Sequence, residues 1–421
     1  LPRHTHTVTI AGGGLGGLTA ALALRHRGMQ VTVLEQAPEL AEVGAGIQTA
    51  PNASRVLLGL GLRPRLELIR TEPTDQVRRR WKDGSIIASR PLGATVWRDY
   101  GAPYWHFHRA DLHRVLLDAC LDPAGPGPAV ELHTASPVAD VDFTDETTPT
   151  AVTEDGRRFP ADIVIGADGL RSAVRRALGL DTDLVFSGEM VYRAMIPGDK
   201  IAADPATRFL MDQFHSTLWY GPKKHLVHYL IRGGEYLNVG AAVPNTIDTT
   251  KNWTEPATVD EMTETFADWD DRITSILSKA EGTPSKWAVF AQRRNPVWTY
   301  GHTALLGDAC HAMLPFQAQG ASQAIEDAAV LAEELATATT ANIPTALLNY
   351  VNRRATHAGM VQDASAQNKH LYQLDDGPEQ QERDRKLRTF EGESDVSYDW
   401  LWRGTPLNGN TTTHTYSFAR R

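Results

Sequence analysis

The chain has 421 residues, 42% of them hydrophobic and 22% charged, which is ordinary for a globular protein and long enough for two domains. The formal charge of -9 argues against a basic groove for nucleic acid, although a local arginine or a helix start can still hold a small anion. Two cysteines, Cys120 and Cys310, argue against a disulfide framework, no run approaches the roughly 18 apolar residues of a membrane span, and the polar start reads neither as a signal nor as a transit peptide, so a cytoplasmic protein is expected.

Residues 8–11 are a short apolar strand, and Gly12, Gly14 and Gly17 follow at once in the pattern G-x-G-x-x-G. Residues 18–27 have helical composition and Gly28 ends the run. Residues 31–34 form the next strand, which ends in Glu35 and Gln36. Gly12 permits the tight turn, Gly14 leaves room for a pyrophosphate, and Gly17 lets the helix pack close to the sheet. The helix start, from Leu15, offers free N–H groups to phosphates, and Glu35 can accept from a ribose diol. On this motif alone NAD and FAD both remain open.

A glycine-rich loop at 43–48 includes Gly46, where backbone can approach a cofactor closely, and a helical stretch spans 53–59. Arg109 stands near the start of the next helix, where a cation opposes the dipole, and this conflict points to a ligand such as a phosphate. Residues 161–169 are a strand running into an Asp-Gly turn at Asp168, the end of a strand being where α/β proteins place ligand groups. Residues 76–100 alternate and turn, and 189–243 read as strands with few helices. Together these imply a second, inserted domain rich in sheet. Residues 304–308 are a further strand ending in Asp308, a partner for a sugar-alcohol hydroxyl. Gly320, Ala321 and Ser322 open a long helix with small side chains that leave room for a ligand. Cys310 and His311 lack a ligand cluster at zinc spacing, so no metal is expected.

Taken together, GGGLGG with Glu35, HRADLH (108–113), GADGLRS (166–172) and LLGDACHAMLPFQAQGASQAIEDA (305–328) resemble the FAD-dependent aromatic hydroxylases of the p-hydroxybenzoate hydroxylase superfamily, over roughly residues 8–405. Within that family EVGAGIQ (42–48), GAPYWHFHRADLH (101–113), HLVHYLIRGGEYLN (225–238) and DWLW (399–402) are most similar to salicylate hydroxylases and 3-hydroxybenzoate 6-hydroxylases. The resemblance implies an α/β fold: a Rossmann-like FAD-binding domain (1–75, 101–185 and 290–365), an inserted sheet-rich substrate domain (76–100 and 186–289), and a C-terminal helical or tail segment (366–421). It implies bound FAD, NADH or NADPH as a transient co-substrate without a second Rossmann motif, O2, a homodimer, and hydroxylation of a small phenolic acid through a flavin C4a-hydroperoxide.

By position in the family, His225, Tyr229 and Gln317 fall in the substrate pocket. An imidazole titrating near pH 7 makes His225 the expected base, and Tyr229 shares its strand face while His228 faces the other way. Trp219, Tyr220, Met313 and Phe316 are expected walls that keep water from the reacting ring. The alternatives are a hydroxylase of a heteroaromatic ring such as 6-hydroxynicotinate or of a larger biosynthetic phenol, an FAD oxidase or dehydrogenase, and a flavin-binding sensor.

Overall fold

The computed structural model describes residues 6–39, 45–180, 184–389 and 396–405. Two large sheets organise these residues. In the six-stranded sheet, Thr7–Ala11 is central, flanked on one side by Gln30–Leu34 and Glu131–His133 and on the other by Ile163–Gly166, Thr303–Leu305 and Thr299–Tyr300. All neighbours run parallel except the last pair. Parallel strands carry their carboxyl ends to one edge. Gly12, Glu35, Asp168 and Asp308, far apart in sequence, therefore follow strands that end along one edge of the sheet.

Helix Leu15–His26 covers this sheet and is buried along most of its length. It packs against helix Gly320–Leu335, and the approach depends on small residues. A Cβ on Gly16 would lie 2.9 Å from Leu306 Cδ2 and 3.0 Å from Ala324 Cβ. The helix ends where Gly28 takes a positive φ of 89° and donates its N–H to Arg25 O.

The eight-stranded sheet runs in the order Thr254–Pro256, Ser285–Gln292, Leu184–Pro197, Tyr236–Pro244, Lys224–Ile231, His215–Gly221, Asp75–Arg80, Ile86–Pro91. Only His215–Gly221 and Asp75–Arg80 pair in parallel, so a hairpin from the first hundred residues extends a sheet built from the middle of the chain. Side chains alternate across it. Tyr192, Trp219 and Leu226 pack with helices Val259–Thr265 and Asp271–Leu277 on one face. Val191, Arg193, His225 and Tyr229 line a cavity on the other. The protein thus combines a Rossmann-type dinucleotide-binding domain with a sheet-rich domain.

Residues 76–100 are not all strand and turn. After the hairpin, Gly93–Tyr100 is a helix. Val96 and Tyr100 lie four residues apart on its buried side, and Gly101 ends it in the left-handed region with φ 68°. The 30-residue helix Ile343–Tyr372 runs through position 365 without a break. No helix among the described residues is long and apolar enough to cross a membrane.

A buried ionic hub joins these parts. Arg354 is fully buried; its Nε donates to Asp327 Oδ1 at 2.6 Å and its Nη1 to Glu326 Oε2 at 3.1 Å. Asp327 also accepts from Gly307 N–H (3.0 Å) and His311 Nε2 (2.6 Å). Glu326 accepts from Asn52 Nδ2 (2.5 Å) and the N–H of Thr405 (2.9 Å). Burial raises the carboxyl of Asp327, but His311 and Arg354 outweigh it and hold it at about 2. Arg354→Met leaves two buried carboxylates without their cation, and a loss of about 3–5 kcal/mol is expected. Urea unfolding of the holoprotein measures it; a loss below about 1 kcal/mol would remove the hub from the account.

Candidate active site

The first turn shows why its glycines stand where they do. A Cβ on Gly12 (φ 102°) would sit 2.3 Å from Ala167 O, and one on Gly17 would sit 2.0 Å from Gly12 O. A Cβ on Gly14 would meet nothing within 4 Å. Two positions are closed by the protein's own backbone and the third faces open space, as a phosphate lying against the chain requires. No side chain caps helix Leu15–His26, so its first N–H groups remain for an anion. The side chain of Leu15 itself packs in the core. Glu35 receives the N–H groups of Gly13 and Ala37, each at 2.8 Å, which fixes its carboxylate and leaves lone pairs for a ribose diol. Gln36 is exposed beside it. These residues fit the adenosine half of FAD.

The other expected cofactor residues fall into two groups. Gly46, Arg109, Asp308, Gly320 and Ala321 line one large cavity. Asp168 and Ser322 do not. The Asp168 carboxylate is taken by the Ser172 hydroxyl (2.5 Å) and the N–H groups of Ala173 and Val174, so it caps the helix Ala173–Ala177. Ser322 is wholly buried in the helix packing. Gly46 lies against the second sheet, where its N–H donates to Asn238 Oδ1 at 2.7 Å and a Cβ would meet the Tyr229 ring at 2.7 Å. Val43 and Gly44, which the same loop includes, lie outside the described residues.

The cavity, about 510 Å³, lies between the carboxyl edge of the parallel sheet and the open face of the antiparallel one. His225, Tyr229 and Gln317 all line it, and His228 points to the opposite face, where Trp219 Nε1 donates to it at 3.1 Å. Trp219 is therefore not a cavity wall. It is one residue out of phase with Leu218, which is. Tyr220 stands a layer back, stacked at 4.5 Å on Tyr372, which does line the cavity, as do Met313 and Phe316.

Burial changes the expected chemistry of His225. Its ring contacts Phe316 and Tyr372 edge-on, at 4.7 and 5.3 Å. Desolvation pushes its pKa down to about 3, far from the neutral range expected of a free imidazole. Gln373 Nε2 lies 2.9 Å from Nδ1. With the amide NH2 group turned to the ring, Nδ1 accepts and the ring proton sits on Nε2. His225 is thus held neutral in this arrangement, with Nε2 free to donate. Gln373 was not legible as a site residue, because its role depends on a contact 148 positions away in sequence.

Tyr229 is likewise held neutral, its phenol pushed up by burial, and it lines the cavity with Gln48, whose Oε1 accepts from the Tyr104 hydroxyl. Gln317 carries the complementary feature: its Oε1 is buried with no hydrogen-bond partner in the structure. Arg193, also missed in the sequence, lines the cavity with its guanidinium 4.8 Å from the Trp287 ring. Cys310, His311 and Asp327 bring ligand-type atoms within 4.8 Å of one another, but Asp327 is already engaged by His311, Gly307 and Arg354.

A parallel sheet with a dinucleotide-type turn and a largely antiparallel sheet share one partly polar cavity. Residues 5–365 match the family described as FAD binding domain. The chain is similar to 3-amino-4-hydroxybenzoate 2-monooxygenase PtnB3 of Streptomyces platensis, at 37% identity over 402 residues covering 95% of this chain and 96% of that one. It is 38% identical over 340 residues to 3-hydroxybenzoate 6-hydroxylase 1 of Aquipseudomonas alcaligenes, covering 78% and 80% of the two. A solved salicylate hydroxylase substrate complex superposes with a TM-score of 0.79 at 26% identity, over 95% of this chain and 96% of the other. The chain belongs to the FAD-binding aromatic hydroxylases, close to the salicylate and 3-hydroxybenzoate hydroxylases, and is an FAD-dependent monooxygenase of small aromatic compounds.

His106, His225 and His228 are all held neutral by burial, at about 3. In the unfolded chain each takes up a proton near its ordinary value of about 6.5, so the unfolded state binds more protons below that pH. Stability should therefore fall as pH drops from about 6.5 towards 3, and His228→Leu should flatten that slope. Melting temperature against pH checks this; a flat profile between pH 6.5 and 4.5 would contradict it.

Proposed function

We propose that the protein hydroxylates a single ring bearing a phenol and a carboxylate, of the 3-hydroxybenzoate or salicylate type, with NADH or NADPH and O2 as co-substrates. The observation that carries this reading is the unpaired Gln317 Oε1 and two neutral donors, His225 and Tyr229, in one partly polar cavity. A phenol offers one donor and one acceptor, and this wall offers their complements. The named activities of the bacterial relatives, on 3-amino-4-hydroxybenzoate and 3-hydroxybenzoate, support a ring with both groups.

FAD would be held by the Gly12–Gly17 turn, Glu35, Asp308 and Gly320, and would supply the redox chemistry that activates O2. The chain's own residues do the rest. The substrate phenol donates to Gln317 Oε1, which polarises its O–H bond and enriches the ring positions ortho and para to the oxygen. His225 Nε2–H and the Tyr229 hydroxyl hold the oxygens of the substrate, and Gln373 fixes His225 in turn. Met313, Phe316 and Val227 keep water from the ring, so that reducing equivalents go to product and not to H2O2.

The test is oxidation of NADH and of NADPH by the holoprotein with 3-hydroxybenzoate, salicylate and 3-amino-4-hydroxybenzoate, with product identified. At least one compound should stimulate oxidation and give a hydroxylated ring at near one-to-one coupling. For that substrate His225→Phe should lower kcat/KM by about tenfold to a hundredfold, the worth of one buried hydrogen bond. Stimulation by none of the three would overturn the substrate class, and unchanged kinetics in His225→Phe would overturn its role.

A further inference from the structure

Part of the cavity wall comes from the last described helix of the chain. Helix Val396–Trp402 puts Tyr398 and Trp402 into the wall beside Gln76 and Tyr104. The segment is firmly seated. The Arg90 guanidinium lies 4.1 Å from the Tyr398 ring centroid and 3.9 Å from that of Trp402. The Tyr100 hydroxyl donates to Asp399 Oδ1 at 2.8 Å, Arg55 donates to Arg403 O at 2.9 Å, and Thr405 N–H reaches Glu326 in the buried hub. Leu401 and Trp402 are almost fully buried.

Behind this wall stands a second buried cation. Gln76 and Arg78 alternate to the same face of their strand, and Arg90 pairs directly across from Gln76. Arg78 is only 6% exposed, and the groups it bonds are neutral, Gln76 Oε1 at 3.1 Å and the Tyr398 hydroxyl oxygen at 3.5 Å, with the phenol of Tyr220 nearby. Among the described residues no carboxylate pairs with it. The nearest acid of the helix, Asp399, is engaged by Tyr100 and Arg403. A buried guanidinium with neutral partners leaves positive potential where its neighbours meet the cavity. The direction of the two bonds matters as well. Arg78 donates to Gln76 Oε1 and to the Tyr398 oxygen, so the Gln76 amide N–H groups and the Tyr398 O–H are left to donate elsewhere.

We propose that Gln76 and Tyr398, backed by Arg78, form the subsite for the carboxylate of the substrate, and that helix Val396–Trp402 completes the active site. The inference rests on the hydroxybenzoate reading above and adds the place of the acid group. The ring then lies with its phenol at His225 and Gln317 and its carboxylate at the C-terminal helix.

The test compares 3-hydroxybenzoate with neutral 3-hydroxybenzamide, titrated into the holoprotein and read by the flavin absorbance change. Tyr398→Phe and Arg78→Met are measured beside the wild type, with flavin content and melting temperature confirming the fold. Tyr398→Phe removes one hydroxyl and leaves the packing, so it serves even where Arg78→Met is unstable. Both variants should weaken the acid by about tenfold or more and the amide by less than about twofold, as loss of a charge-assisted contact requires. Equal weakening of both ligands, or of neither, in Tyr398→Phe would overturn the subsite alone. A wild-type protein that binds neither compound would overturn the hydroxybenzoate reading and the subsite with it.

Discussion

Arg354 is buried without access to water, and its charge can be tolerated there only because Asp327 and Glu326 neutralise it from the adjacent helix. Those two carboxylates reach further than the ion pair. Through Gly307 and His311 they fix the loop that carries Asp308; through Asn52, which also donates to Gln319 Oε1 at 3.0 Å, they fix the cavity loop; through Thr405 they fix the chain's last described helix. The cofactor edge, the cavity loop and the aromatic wall therefore share one anchor. A shift of any one is opposed by unpaired charge in a dry interior, which is why the site can be assembled from segments scattered over the whole chain.

Within that frame the cavity follows from strand alternation. The antiparallel sheet turns Trp219 and His228 to a helix-covered core and leaves His225 and Tyr229 for the other face. Polar side chains on a buried face need partners, and Gln373 supplies one for His225 Nδ1. Gln317 Oε1 has none. An unsatisfied acceptor in the cavity that His225 also lines marks the place where a ligand, not the protein, completes the hydrogen bonding.

The glycine turn, Glu35, the strand edges and the two-sheet plan were legible in the sequence, because each rests on local rules: period-two alternation, glycine where a Cβ clashes, and acid at a strand end. His225 and Tyr229 were expected in the pocket from the family resemblance, and their spacing of four on one strand put them on a common face. What local rules do not carry is the environment. The titration of His225 was misjudged since the rings of Phe316 and Tyr372 that bury it come from distant segments. Trp219 was read as a wall because its phase against Leu218 was not weighed. Asp168 matched a ligand position but its carboxylate caps the helix that follows. The Arg354 hub and the aromatic wall depend on long-range pairing and gave no local signal.

The most direct measurement is a crystal structure of the protein with FAD and 3-hydroxybenzoate bound. The expected result is FAD pyrophosphate against Gly14 at the start of the first helix, with the substrate ring in the cavity and its phenol oxygen within hydrogen-bonding distance of Gln317 and His225. A ring seated outside that cavity, or a cofactor whose phosphates lie away from the glycine turn, would contradict the assembly of the site from these two sheets.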